Sequence, residues 1–261
     1  MNRINRTFKR LKAENKKAFI PYIMAGDPSL EKTLERVLMI ERCGVDIIEL
    51  GVPFTDPLAD GPTIQRAAER ALSEGVTLKK VIGLVKDIRQ KSQIPIVLMT
   101  YYNPVFKYDE GQFVADASEA GVDGVIIPDL PPDEAGEIIR HSKKAGLCTI
   151  FLLAPTSTPD RIKKVAKAST GFIYYVPITG ITGSEIRHDS SITGAIAGIR
   201  EVSPKPVCIG FGVSGPDDAR KLSGLADGVI VGSAIVKAFH ERAASVEDFI
   251  KGLRRAINGS G

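Results

Sequence analysis

Residues 19–28 read Phe-Ile-Pro-Tyr-Ile-Met-Ala-Gly-Asp-Pro, an apolar run ending in a tight turn. The run Phe19–Met24 lacks the apolar–polar alternation of a half-exposed strand. It reads as a strand covered on both faces, the kind that builds parallel sheets. The turn at its end separates the two architectures made from such strands. An open dinucleotide-binding sheet needs a Gly-x-Gly-x-x-Gly turn after its first strand, and here the turn is Ala25-Gly-Asp-Pro28. Seven similar runs come after it, at Asp46–Leu50, Ile96–Met99, Gly124–Pro128, Cys148–Leu153, Gly171–Val176, Val207–Phe211 and Gly228–Val231. Eight strands alternating with helical patterns in 261 residues fit a closed (β/α)8 barrel. An open doubly wound sheet is the alternative.

The intervening segments carry helix signals. Leu34, Val37 and Leu38 form an apolar stripe within Leu30–Arg42. Asp133–Lys144 follows Pro131-Pro132 and stops at Gly146, and Pro159–Ala168 follows Thr158, a suitable N-cap. Ser214–Leu222 opens on a Ser-x-x-Asp pattern, with Pro216 near its first turn. Pro62–Gln93 reads as two helices broken near Gly75, and an extra helix at Arg3–Lys16 precedes the first strand.

Composition narrows the function classes. The apolar and charged fractions, 43% and 25%, are those of one ordinary core, so residues 1–261 are expected to form one barrel domain. Lys9, Arg10, Lys12, Lys16 and Lys17 cluster, but no aromatic residues interleave to stack bases, so they read as a solvated helix face. Cys43, Cys148 and Cys208 are isolated in apolar contexts and read as buried thiols of a reducing compartment. His141, His188 and His240 are equally scattered, and no metal site is expected. The charged N-terminus and the absence of any run near ~18 apolar residues point to a cytoplasmic protein.

Barrel active sites lie at the C-terminal ends of the strands, so polar residues there are the candidates. Glu49 lies one residue before the end of the second strand, on the face shared with Ile47. A buried carboxylate must find a partner or take up a proton, and the second course suits general acid–base work. A strand-end ion pair is the competing explanation. Asp56 and Asp60 lie in the following loop, which Pro53, Pro57 and Pro62 stiffen. Either could merely cap a turn, or two carboxylates on one site could divide the labour.

Glycines mark a second constellation, in Thr179-Gly-Ile-Thr-Gly183, Gly210-Phe-Gly212 and Gly232-Ser233. Three glycine turns in successive late loops, with a helix opening at Ser233, make a phosphate cradle the better reading than turns alone. Tyr22, Tyr101, Phe211 and Ile230 are candidates for an apolar pocket, against ordinary barrel filling. Asp129, ending the fourth strand, is open to catalytic, structural or supporting roles.

At these residues the chain resembles the tryptophan synthase alpha subunits. The carrier is Glu49-Leu-Gly-Val-Pro-Phe-Thr-Asp-Pro-Leu-Ala-Asp-Gly-Pro-Thr-Ile-Gln65. Supporting matches are Gly26-Asp-Pro28, Tyr101–Phe106 with Asn103, Asp129-Leu-Pro131, Gly180-Ile-Thr-Gly183, Gly210-Phe-Gly212 and Gly232-Ser-Ala-Ile-Val-Lys237, in the same order along nearly the whole chain.

The resemblance implies a carbon–carbon lyase that cleaves indole-3-glycerol phosphate to indole and glyceraldehyde 3-phosphate. Glu49 and Asp60 would be the catalytic pair. Tyr22, Tyr101, Tyr174, Phe211 and Ile230 would line the indole end, and Gly183, Gly212, Gly232 and Ser233 the phosphate end. Thr182 would meet Asp60 from a mobile loop over about 177–189. No cofactor is implied in this chain. A beta-subunit partner holding pyridoxal phosphate is implied instead, in a heterotetramer with two copies of each subunit. Phe54, Asp56, Pro57, Asn103, Phe106, Asp129 and Pro131 would face it. Val176-Pro-Ile-Thr179 departs from the family, which often has Ser-Arg and a small residue there. The alternatives are another phosphate-binding barrel enzyme, a free-standing indole-releasing lyase, and a non-catalytic activator of a beta subunit.

Overall fold

The computed structural model of the chain describes residues 1–177, 190–210, 212–241 and 245–259. The first half runs α1 (Arg3–Ala13), β1 (Ala18–Met24), α2 (Leu30–Arg42), β2 (Ile48–Gly51), α3 (Pro62–Ser73), α4 (Leu78–Arg89), β3 (Ile96–Met99), α5 (Tyr102–Tyr108), α6 (Glu110–Ala120) and β4 (Gly124–Ile126). The second half runs α7 (Gly136–Ala145), β5 (Cys148–Ile150), β6 (Leu152–Leu153), α8 (Pro159–Ala168), β7 (Ile173–Tyr175), α9 (Ser190–Val202), β8 (Val207–Gly210), α10 (Pro216–Ser223), β9 (Gly228–Val231), α11 (Ser233–Glu241) and α12 (Val246–Asn258).

Neighbouring strands are parallel, in the order β5-β4-β3-β2-β1-β9-β8-β7-β6. The two ends of that order, β5 and β6, are one strand interrupted at Phe151, so the sheet closes into a ring of eight strand positions. At the interruption the Phe151 N–H donates to Ser169 Oγ at 3.3 Å, while its carbonyl accepts from Tyr174 N–H at 3.1 Å. This is the expected barrel with its extra N-terminal helix, and the open sheet is excluded.

Alternation along the strands sorts the apolar residues into two bodies. One lies between the sheet and the surrounding helices. The other fills the ring, where Ala18, Ile20, Ile47, Val97, Ile126, Cys148, Phe172, Cys208 and Ile230 meet Ile4, Phe8 and Leu11 of α1. Helix α1 thus plugs the N-terminal end of the barrel, with Phe8 tilted against Phe172 at 5.8 Å. Its basic residues Lys9, Arg10 and Lys12 face outward and are exposed, as is Lys16 just beyond its end. All three cysteines are buried and free. No helix among the described residues is long and apolar enough to cross a membrane.

Several boundaries differ from expectation for local reasons. Strand β2 starts at Ile48, because the Asp46 carboxylate accepts the Phe19 N–H at 3.0 Å and stands below the ladder. The strand ends at Gly51 and not at Leu50, so Glu49 is two residues from its end. Helix α7 begins at Gly136 and not at Asp133. Ser214 does not cap α10, whose N-cap is Gly215; instead its N–H donates to Asp218 at 3.0 Å. Helices α5 and α6 have no counterpart in the expected pattern. They pivot on Asp109, which takes φ +77° and caps α6 through its side chain.

Candidate active site

Strand β2 delivers Glu49 into the C-terminal half of the ring, in register with Tyr22 of β1 and Val97 of β3. The residue is 1% exposed, and its Oε2 has no hydrogen-bond partner among the described residues. Burial, with the nearby Asp60 charge adding to it, raises the Glu49 pKa to about 8. The carboxyl group is consequently protonated at neutral pH, able to give a proton and take it back.

Asp60 comes from the loop between β2 and α3 and is half-buried. Burial lifts its pKa to about 6, against the lowering pull of a hydrogen bond from Tyr101. The Tyr101 hydroxyl donates to Asp60 Oδ2 at 3.1 Å and accepts the Ala59 N–H at 3.0 Å. The Phe54 ring stacks on Tyr101 with centroids 5.3 Å apart. Inside the loop, the Asp60 N–H donates to the Pro57 carbonyl at 3.1 Å, and Gln65 Nε2 donates to the Asp60 carbonyl at 2.8 Å. Pro62 at the first helical position of α3 then fixes where the loop ends. One carboxyl group is thus protonated and sealed, and the other is ionised and held near the mouth.

Glycines shape the space around this pair. A side chain at Gly51 would put its Cβ 2.0 Å from the Tyr22 hydroxyl, and one at Gly210 would lie 2.3 Å from the Tyr174 hydroxyl. Both tyrosines therefore lie across strand ends stripped of side chains. Burial first, then the charges of Asp60 and Glu49, raise the Tyr22 pKa well above the ordinary phenol range. Burial and the same two charges act on Tyr174. Both phenols stay neutral and offer flat apolar faces. Ile230 lies deeper, in the packed interior against which Tyr174 rests.

Gly212, at φ +72°, follows the end of β8, and Gly232 follows the end of β9. Helix α11 opens at Ser233, and the Gly232 carbonyl accepts the Ile235 and Val236 N–H groups. The first turn of α11 holds no acidic residue, whereas that of α10 holds Asp217 and Asp218. The positive end of α11 is therefore left without an internal counter-charge, as an anion cradle requires.

The family model described as tryptophan synthase alpha chain matches residues 8–258. The chain belongs to the tryptophan synthase alpha chain family. A tryptophan synthase alpha chain of Geobacter sulfurreducens is 49% identical over 262 residues, spanning 98% of this chain and 99% of that one. Another, of Geotalea uraniireducens, is 52% identical over 241 residues, spanning 92% and 90%. A solved Mycobacterium tuberculosis tryptophan synthase chain superposes with a TM-score of 0.93 at 36% identity, covering 99% of each chain. Among Legionella pneumophila structures, a tryptophan synthase subunit alpha gives 0.88 at 36%, covering 98% of each chain.

Against the residues that the alpha chain resemblance implied, the fold brings Glu49, Asp60, Tyr22, Tyr101 and Tyr174 together at the barrel mouth. Thr182, Gly183 and Phe211 lie outside the described residues, as does the expected loop beyond Pro177. The three segments expected to meet a partner are tied to one another. Phe54 stacks on Tyr101, and the next N–H, that of Tyr102, donates to both Asp129 oxygens at 2.9 and 3.1 Å. Asp56, Asn103 and Asp129 are exposed, and Pro57 and Pro131 are half-buried beside them. Phe106 is 64% exposed and Leu58 93%. Leu58 escapes a reading of the sequence. Its only signal is an apolar residue in a loop otherwise held by prolines and aspartates. A contact joining Asp27, Arg70 and His240 escapes it too, since 213 residues separate its ends.

Proposed function

We propose that this chain runs the alpha reaction of its family, cleaving indole-3-glycerol phosphate by a retro-aldol step, with Glu49 as proton carrier and Asp60 as the anchor for the indole N–H. The supporting observation is the pairing of two carboxyl groups at one site in opposite protonation states. Protonated Glu49 adds its proton to indole C3. Ionised Asp60 accepts a hydrogen bond from N1–H as positive charge develops there. Glu49, now a carboxylate, takes the glycerol hydroxyl proton. The bond from C3 to the glycerol carbon breaks, its electron pair restores the indole ring, and the carbonyl of glyceraldehyde 3-phosphate forms. Glu49 ends protonated, so no external acid or base is consumed.

Tyr22, Tyr101 and Tyr174 would enclose the indole, with Ile230 in the floor, while Gly212, Gly232 and Ser233 would take the phosphate. Thr182, Gly183 and Phe211 are proposed contacts on the strength of the resemblance alone. The whole chain would act as one cytoplasmic barrel unit. Its partner would be a beta subunit holding the pyridoxal phosphate, in a heterotetramer with two copies of each subunit. The linked surface of Phe54, Asp56, Pro57, Asn103, Phe106, Asp129 and Pro131 supports that docking, with Leu58 added. Incubating the purified chain with indole-3-glycerol phosphate, alone and with a beta subunit, tests the reading. Indole or tryptophan is expected, and neither product in either arm would refute it.

A further inference from the structure

Asp27 is buried at the barrel mouth in the turn after β1 and belongs to no element of the acid–base pair. Its carboxylate joins two helices. Arg70, in the last turn of α3, donates from Nε to Oδ1 at 2.8 Å and from Nη2 to Oδ2 at 3.0 Å. His240, in the last turn of α11, places Nε2 2.8 Å from Asp27 Oδ2 and 2.8 Å from Arg70 Nη2. In one tautomer the ring donates to the carboxylate, and in the other it accepts from the guanidinium. Either bond ties α11 to the same Asp27–Arg70 pair. Arg36 of α2 donates to the Asp27 carbonyl and lies 4.2 Å over the Phe239 ring of α11. The turn itself is held tightly: the Gly26 N–H donates to Thr33 Oγ1 at 2.9 Å, and a Cβ at Gly26 would lie 2.4 Å from Val76. Burial alone would raise the Asp27 pKa, but the bonds from Arg70 and His240 outweigh it and hold the group below its ordinary value.

The two clasped helices begin at the two ends of the proposed substrate. Helix α3 starts directly after Asp60 and Gly61, and α11 starts at Gly232-Ser233. The helices also pack on each other. Each is a rod running roughly 10–12 Å from its start to the clasp, at about 1.5 Å per residue, with that far end fixed on Asp27. A shift at the clasp is therefore carried to the starts of the rods.

We infer that Asp27, acting through Arg70 and His240, is a positioning residue that sets the anion cradle of α11 at the correct distance from Asp60. The inference rests on the proposed function and adds to it the device that spaces the two ends of the substrate. The clasp touches no reacting atom, so loosening it weakens ground-state and transition-state binding alike, raising KM and leaving kcat in place.

The test compares the full-length wild type with His240→Ala, His240→Gln and Asp27→Asn. It measures steady-state cleavage of indole-3-glycerol phosphate and calorimetric binding of inorganic phosphate. The expected result for His240→Ala is KM and phosphate Kd both raised about five- to tenfold, with kcat within about twofold. Glutamine offers an amide N–H near the position of Nε2, so His240→Gln should recover most of the loss. Asp27→Asn should exceed the alanine effect. The exposed position of His240 keeps the test readable if Asp27→Asn fails to fold. A folded His240→Ala with unchanged KM and phosphate Kd would overturn the inference. So would a fall in kcat at constant KM, or a glutamine variant no better than alanine. A wild type that turns over while the variants keep its KM refutes the clasp alone. A wild type that neither turns over nor binds phosphate refutes the proposed function along with it.

Discussion

Asp46 and Glu49 stand three residues apart and are both buried, yet they have opposite surroundings. Asp46 accepts from Arg10 Nη2 at 2.8 Å, from Arg254 Nη1 at 2.5 Å and from the Phe19 N–H. Glu49 has an oxygen with no partner at all among the described residues. The arrangement at Asp46 recurs around the N-terminal end of the barrel. Asp123 pairs with Arg3 and Arg89 and accepts the Ile96 N–H, and Asp227 pairs with Arg200 and accepts the Val207 N–H. At that end each carboxylate fixes the start of a neighbouring strand. At the C-terminal end Glu49 is left under-solvated, which costs stability and yields a group that holds its proton at neutral pH. Within four successive residues, the surroundings give one carboxyl group to structure and leave the other, in the proposed reaction, to chemistry.

The strongest attack on this contrast is Glu49→Gln. Its kcat should fall about 10²- to 10⁴-fold, the range for losing a general acid–base group. The same variant should be more stable than wild type at pH 8–9. The folded pKa of Glu49 is raised to about 8, so the folded state binds the extra proton between the unfolded value and about 8. Stability is thus lost as pH rises through that window, and glutamine removes the loss. Denaturant titrations at pH 6 and pH 9 check this, and a variant no more stable than wild type at pH 9 would break the contrast.

Asp46→Asn should give the inverse result, a loss of about 3 kcal/mol from leaving the largely buried Arg254 without its charge partner, with kcat of the folded fraction near wild type. Chemical denaturation with parallel assays reads both. Next, the pH profile of kcat/KM should be bell-shaped. Activity needs Asp60 ionised and Glu49 protonated, so it should rise through about pH 6 and fall above about pH 8. Tenfold per unit is the expected slope outside that window. The smallest effect belongs to Tyr101→Phe. Removing the hydrogen bond that lowers the Asp60 pKa should move the acid limb upward by roughly half a unit to one unit, leaving the basic limb in place.

The strands are legible in the sequence because a doubly covered strand leaves a plain mark, a run of Ile and Val without polar alternation. β3 and β9 fall where that mark puts them, as do helices α2 and α8, whose caps Ser29 and Thr158 accept from Lys32 and Arg161. Helices α5 and α6 are hidden by Tyr102-Asn-Pro and by Asp109, which look like loop chemistry until the backbone at Asp109 turns left-handed. Glu49 is legible as a candidate from strand position alone, but not its orphaned oxygen, which depends on what the other seven strand positions leave out. The clasp at Asp27 is illegible for a different reason. A carboxylate in a Gly-Asp-Pro turn looks like turn chemistry, and only the closed ring brings Arg70 and His240 to it.

The plug at the bottom of the barrel has a consequence for biosynthesis. Ile4, Phe8 and Leu11 are made long before part of the surface that buries them, Phe172, Cys208 and Ile230. β1 likewise must wait for β9 to pair along its second edge. The plug helix is therefore an apolar segment in search of cover until those late strands are made. Synthesis of β9, and not emergence of any earlier unit, is the event that lets the ring shut.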